Sequence, residues 1–157
     1  MTLDDATSTI YSAFFVEEEG AGSSSRGLRE VIATHGLFSS LYTDRSSHYW
    51  HTDAAGGRVG KRRPTHVHRA LQQVGITLIA AYSPKARGRL ERAFRTLQDR
   101  LPKELALAGI TDMAAANQYF TTHFIPAHNQ RFAIPAAETG TAFIPWIGSP
   151  LGEILCV

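Results

Sequence analysis

Residues 76–92 read Ile-Thr-Leu-Ile-Ala-Ala-Tyr-Ser-Pro-Lys-Ala-Arg-Gly-Arg-Leu-Glu-Arg. The first seven, Ile76 to Tyr82, are a nearly continuous apolar run, which is the mark of a strand covered on both faces. Pro84 then opens a long helix, since its fixed φ suits a first helical turn and its missing N–H costs nothing there. Leu90, Phe94, Leu97 and Leu101 recur on one stripe of that helix. Pro102 is expected to kink or end it.

Upstream of this stretch the same alternation repeats. Residues 65–74 read as a helix closed by Gly75, and Ser40 to Asp44 as a short strand running into a polar loop. Between them, residues 51–64 hold three glycines, a proline and four basic residues, the composition of a flexible loop. Residues 24–35 carry Leu28, Val31 and Ile32 at helical spacing after a Gly-Ser loop, with Gly36 past the end. Thr9 to Val16 is β-branched and aromatic and reads as a strand. Thr2 to Thr7 resembles a turn between hairpin strands, although no strand is expected before it. A helix is expected over 112–124, and the Pro-, Gly- and Ala-rich tail from Ile134 reads as a linker. The order strand, helix, strand, helix, strand, helix points to an α/β fold with a partly parallel sheet.

Net charge is only +2, but it is unevenly spread. Ala54 to Arg95 holds ten basic residues (Arg58, Lys61, Arg62, Arg63, Arg69, Lys85, Arg87, Arg89, Arg92 and Arg95) and one acid, Glu91. The remainder holds six basic and thirteen acidic residues, so the block faces a polyanion or is a solvated basic surface, and nucleic acid is the favoured partner. No apolar run reaches the roughly 20 residues of a membrane span, and no signal-like segment opens the chain. The lone Cys156 excludes an internal disulfide, which fits a reducing cytoplasm.

Two acids stand in patterns that carry chemistry. Leu-Tyr-Thr-Asp-Arg, residues 41–45, puts Asp44 where a strand meets a loop. Glu91 follows two turns into the expected helix, with Gly88 on the same face and Arg87 and Arg95 at i−4 and i+4. A carboxylate among guanidiniums suits a site where Mg²⁺ and phosphate meet. Either acid alone reads more readily as a surface acid than as a metal ligand; it is the pairing that is unusual.

The strings Asp-Asp-Ala-Thr-Ser (4–8), Tyr-Thr-Asp-Arg-x-Ser-His-Tyr-Trp (42–50) and Tyr-Ser-Pro-x-Ala-Arg-Gly-Arg-x-Glu-Arg (82–92) resemble integrase-type catalytic cores, and most closely ISNCY-type insertion-sequence transposases of bacteria. Leu-Gln-Asp-Arg-Leu-Pro-Lys-Glu-Leu (97–105) extends the likeness, which runs from about residue 3 to 148. The resemblance implies an RNase H-like fold, a mixed sheet flanked by helices whose first strand is missing. Residues 1–132 would be a partial catalytic core, and 133–157 a linker and stub. Asp44 resembles the second catalytic aspartate of such DDE transposases and Glu91 the glutamate, both as metal ligands. The implied cofactor is Mg²⁺ or Mn²⁺, in a two-metal site expected only in the complete domain. The implied partners are DNA, through Arg58, Lys61, Arg62, Arg63, Lys85, Arg87, Arg92 and Arg95, and further copies in a transpososome. No membrane is involved, and the location is cytoplasmic, at the nucleoid when DNA is bound.

The first family aspartate belongs to the missing strand, so the chain is expected to be a truncated copy, inactive alone. The alternative is a non-catalytic module that binds DNA or a full transposase. Asp4 and Asp5 are expected to cap the early turn rather than replace the lost ligand. Ser46 stands where the family usually shows Gly, which strains the loop if that position needs a positive φ. Lys85 replaces a usual acid, and Leu90 a small polar residue. The pairs His48/His51 and His66/His68 fall short of the four ligands of a structural zinc site. His48 reads as a polar loop residue or a DNA contact, Tyr49 and Trp50 as core or base-stacking residues, and Trp146 as an anchor for the tail.

Overall fold

The computed structural model describes residues 1–52, 57–60, 62–82 and 88–156. The chain forms two compact units, Met1–Glu17 with Arg87–Gly140, and Glu18–Ala86 with Thr141–Val157. Each has its own apolar core, and each follows from a different kind of local signal.

The second unit is built on β3 (Ser40–Thr43), α2 (His66–Gln73) and β4 (Thr77–Ala80), with α1 (Ala21–His35) before them. The two strands are parallel and paired from Ser40↔Thr77 to Thr43↔Ala80. Parallel neighbours need a crossover connection, and α2 lies within it. Thr65 caps α2, its hydroxyl accepting the His68 N–H at 3.3 Å, and Gly75 with φ 80° turns the chain into β4. Leu28 and Ile32 of α1, Val67 and Leu71 of α2, Ile76, Leu78 and Trp50 form the core. Leu71 is fully buried, so truncating it to Ala costs about 2–5 kcal/mol.

Helix α1 begins three residues earlier than expected. Ser23 does not precede the helix but reaches back within it, accepting the Gly20 N–H at 3.0 Å. Gly36 (φ 104°) ends α1, and a Cβ there would lie 2.5 Å from the Ile144 carbonyl oxygen. That close approach allows Leu37 and Ile144 to exchange N–H···O bonds of 2.7 and 2.9 Å. The tail thus pairs with the second unit and adds Leu155, fully buried, to its core, while Trp146 packs against the same core as an anchor. A short helix, α6 (Leu151–Ile154), carries the chain to that leucine.

The first unit holds an antiparallel hairpin, β1 (Thr2–Leu3) with β2 (Ile10–Ser12), and the helices α3 (Gly88–Leu107), α4 (Met113–Tyr119) and α5 (Ile125–Phe132). A strand does therefore precede the early turn, against the sequence expectation. The reason is local: the Asp4 carboxylate accepts the Ala6 and Thr7 N–H groups at 3.2 and 3.1 Å, and Ser8 takes φ 62°, which folds Thr2 and Leu3 back onto β2. Asp5 lies 3.9 Å from Arg89. Both acids serve the turn.

Side chains complete the backbone pairing of β2. The Asn129 amide accepts from the Ile10 N–H and donates to the Ile10 carbonyl, both at 2.9 Å. Asn117 does the same for Phe15, at 2.6 and 3.1 Å. Two helix-borne amides thus take the place of a neighbouring strand and blunt an open edge. Ile10, Leu97, Leu101, Phe120 and Phe124 form the core beneath.

Pro102 neither ends α3 nor shortens it: the helix runs on to Leu107. Pro102 and Gln98, whose carbonyl loses its partner, are both exposed, while Leu97 and Leu101 hold the buried face. The buried stripe is Ala93, Leu97 and Leu101; Phe94 is 43% exposed, one residue off the expected line. The expected helix over 112–124 is longer and interrupted. Phe120–Phe124 is a π-helical turn in which the Ile125 N–H donates to the Phe120 carbonyl, five residues back. Pro126 follows without an N–H, and the Thr121 and Thr122 hydroxyls donate to the Asn117 and Gln118 carbonyls at 3.0 and 2.8 Å.

The fold is α/β, as the element order implied. Among the described residues its strands form two separate two-stranded sheets, one antiparallel and one parallel.

Candidate active site and nucleic-acid interface

Asp44 follows directly on β3, at the C-terminal end of a parallel strand pair. This is where α/β folds expose polar groups, because the strand's hydrogen bonding has just ended and the chain must turn outward. Its Oδ1 accepts the Ser46 N–H at 3.1 Å and the Ser46 hydroxyl. Among the described non-glycine residues only Ser8 has a positive φ, so Ser46 imposes no strain on this loop. The serine instead holds the Asp44 carboxylate in place.

The neighbouring side chains tie a long loop to the same strand ends. Arg45 donates to the Gly57 carbonyl at 3.2 Å, and its guanidinium lies 5.4 Å from the centre of the Tyr82 ring. Tyr82, just beyond β4, accepts the Val59 N–H on its hydroxyl at 3.1 Å. The Gly60 N–H donates to the His51 carbonyl at 2.7 Å, an isolated antiparallel bridge. Arg58 is exposed on the part of this loop that Arg45 and Tyr82 hold, and Arg62 and Arg63 are exposed just after it. Asp44 and the loop segment bearing Arg58 therefore share one end of the parallel pair.

Beneath this end, Trp50 is buried and donates from its indole to the Thr43 hydroxyl at 2.9 Å. Trp50 is thus a core residue rather than a stacking platform, and Tyr49 packs partly against the same core. Burial raises the Tyr49 pKa, a hydrogen bond with Ser24 pulls it down, and the charges of Asp44 and Glu19 push it up further. His68 meets the Trp50 ring edge-on at 5.0 Å, and burial lowers its pKa. His48 lies tilted against Tyr49 (4.4 Å) and is half-buried, its Nε2 buried and without a hydrogen-bond partner among the described residues.

Glu91 lies in the other unit. It sits in the first described turn of α3 and is exposed, as are Arg92 and Arg95; the expected helix start at Pro84 lies outside the described residues. A Cβ on Gly88 would meet no atom within 4 Å, so internal packing does not demand glycine there. Lys61, Lys85 and Arg87 lie outside the described residues. Among the described residues no group of three or more His, Cys, Asp or Glu comes together. No described helix is long and apolar enough to cross a membrane. Sequence reading missed the anchoring roles of Arg45 and Tyr82. The flanking positions of the Tyr-Thr-Asp-Arg and Tyr-Ser-Pro strings were the only signal for them.

Over most of its length the chain is similar to transposases. It is 35% identical over 158 residues to a protein of Sinorhizobium fredii (strain NBRC 101917 / NGR234) named as a transposase, y4bF; the match covers 98% of this chain and 34% of that protein. It is 30% identical over 132 residues to the transposase for insertion sequence IS1202 of Streptococcus pneumoniae, covering 84% of this chain and 28% of the relative. The chain thus spans about a third of the length of these curated relatives. No family model matches, and no solved structure matches.

Proposed function

We propose that the chain is part of the RNase H-like DDE core of an insertion-sequence transposase, with Asp44 and Glu91 as two of its metal-binding carboxylates and DNA as its substrate. The observation that carries this reading is the placement of Asp44. It is fixed by Ser46 at the end of a parallel βαβ unit, beside a loop that carries Arg58. Carboxylate oxygens are the hard donors that Mg²⁺ or Mn²⁺ takes, so the residues fit the ion in kind. When bound, the metal would polarise a phosphodiester oxygen and activate water or a DNA 3′-hydroxyl. Ser46 holds Asp44 ready without reorganisation. Arg45 and Tyr82 hold the loop, and Arg58, Arg62 and Arg63 position the phosphate backbone with little sequence reading. With two of three carboxylates, the 157 residues alone bind DNA but neither cut nor join it.

Iron-mediated cleavage tests the assignment on the chain itself. Fe²⁺ with ascorbate should cut the polypeptide near both Asp44 and Glu91, with the cuts suppressed by excess Mg²⁺ and lost in Asp44→Asn or Glu91→Gln. Cuts at one acid only, or cuts indifferent to either substitution, contradict a shared site. Mg²⁺-dependent DNA end cleavage by the chain, abolished in Asp44→Asn, would support the carboxylate and overturn the inactivity.

A further inference from the structure

The first unit contains a cleft of about 400 Å³, about half open to solvent, that the site above does not use. It lies within the roughly 300–1,000 Å³ of small-molecule sites. Its walls are of two kinds. Arg89, Arg92 and Thr96 of α3 supply a cationic and polar side, and His128, Phe132 and Ile134 an aromatic and apolar one.

Three features suggest an occupant. Arg89 is oriented by the early turn, donating to the Ala6 carbonyl at 3.1 Å, whereas Arg92 has no acidic partner among the described residues. His128 is only 5% exposed, yet its Nδ1 has no hydrogen-bond partner there. A buried polar atom left unpaired costs about 1–3 kcal/mol, so this one needs a reason. Finally, Phe132 is 40% exposed although it lies tilted against His128 (4.8 Å), with the guanidiniums of Arg100 and Arg131 5.9 and 5.4 Å from its ring centre. An exposed ring among guanidiniums is suited to an anionic, planar ligand.

We propose that this cleft receives one unstacked nucleotide of DNA, its phosphate on Arg92 and Arg89, its base against Phe132 and Ile134, and a base-edge hydrogen bond to His128 Nδ1. The proposal rests on the DNA-processing reading above and adds to it a second, mononucleotide-sized contact. Burial, and secondarily the charge of Arg100, lowers the His128 pKa. The ring therefore stays neutral at neutral pH and offers Nδ1 as a single donor or acceptor rather than a third cation. The charge that acts on it, that of Arg100, opposes protonation.

The test is calorimetric titration of the chain at low salt with dTMP, with inorganic phosphate and thymidine as separate arms. dTMP should bind saturably, at one per chain, and more tightly than either part. Arg92→Ala should weaken it roughly tenfold, the worth of a charged hydrogen bond, and Phe132→Ala by a similar factor. Both residues are exposed, so unchanged circular dichroism will show that the variants fold. Binding of dTMP no tighter than phosphate, or unaffected by Arg92→Ala, overturns the proposal. Duplex DNA is titrated in parallel. If it binds and dTMP does not, the cleft alone is refuted; if dTMP binds and duplex does not, the interface of the other unit falls.

Discussion

The two units hold their acids in opposite ways. Asp44 stands where a parallel strand ends, its carboxylate bonded to Ser46 and its surroundings set by Trp50, Arg45 and Tyr82. Glu91 stands on an exposed helical face, placed by helix periodicity alone. Sheet topology delivers a residue already oriented; a helix delivers one that is ordered by what binds it.

The largest effect should come from the support of the preorganised end. Trp50→Ala removes a buried indole and its bond to Thr43, and should cost about 3–5 kcal/mol in denaturant unfolding. Trp50→Phe keeps most of the bulk and should lose only about 1 kcal/mol. A loss below 1 kcal/mol for the alanine variant would show that the indole does not hold the end of β3.

A smaller cost is expected in the first unit, where side chains replace a strand. Asn129→Ala leaves both the Ile10 N–H and carbonyl without partners, and should destabilise by roughly 2 kcal/mol. Asn129→Asp keeps the acceptor but sets a carboxylate against the Ile10 carbonyl, and should be no better. If Asn129→Ala unfolds like the unsubstituted chain, β2 does not need its amide clamp.

Acid should weaken both units modestly. His68 and His128 have pKa values lowered from 6.5, in each case first by burial. Between the lowered folded value and about 6.5 the unfolded chain binds more protons, so stability rises with pH through that window and levels off above it. The melting temperature should therefore fall as pH drops from 7.5 to 5, and less steeply in His68→Phe. Asp99, held below the usual carboxylate range by Lys103, titrates under this window. A flat melting profile would mean that neither imidazole is buried as a neutral ring.

The β3–α2–β4 unit was legible because a continuous apolar strand and a terminal glycine act over a few residues. The turn capped by Asp4 was legible for the same reason. The amide clamps were not: Asn129 meets Ile10 across 119 residues, and no local pattern announces a side chain that imitates a strand. Pro102 misled because a proline's cost depends on which face it occupies, and this one faces solvent. The π-helical turn before Pro126 was hidden likewise, since hydroxyls of Thr121 and Thr122 bond the helix from within. At the candidate site, sequence singled out acids and cations by pattern; that Arg45 and Tyr82 tie the loop carrying Arg58 to the strand ends required the fold.

The most direct test of that fastening is the salt dependence of DNA binding. Arg58, Arg62 and Arg63 are exposed on or beside the loop that Arg45 and Tyr82 hold against the strand end bearing Asp44. Each phosphate contact contributes a slope of about 0.9 to log affinity against log salt, so neutralising all three should lower the slope by up to about 2.7. Duplex DNA affinity should be measured from low to moderate salt for the unsubstituted chain, for that triple variant, and for Tyr82→Ala, which frees the loop without changing charge. The account predicts a reduced slope in the triple variant and weaker binding at nearly unchanged slope in Tyr82→Ala. Identical slopes for the chain and the triple variant would contradict it, making the cluster solvated surface only.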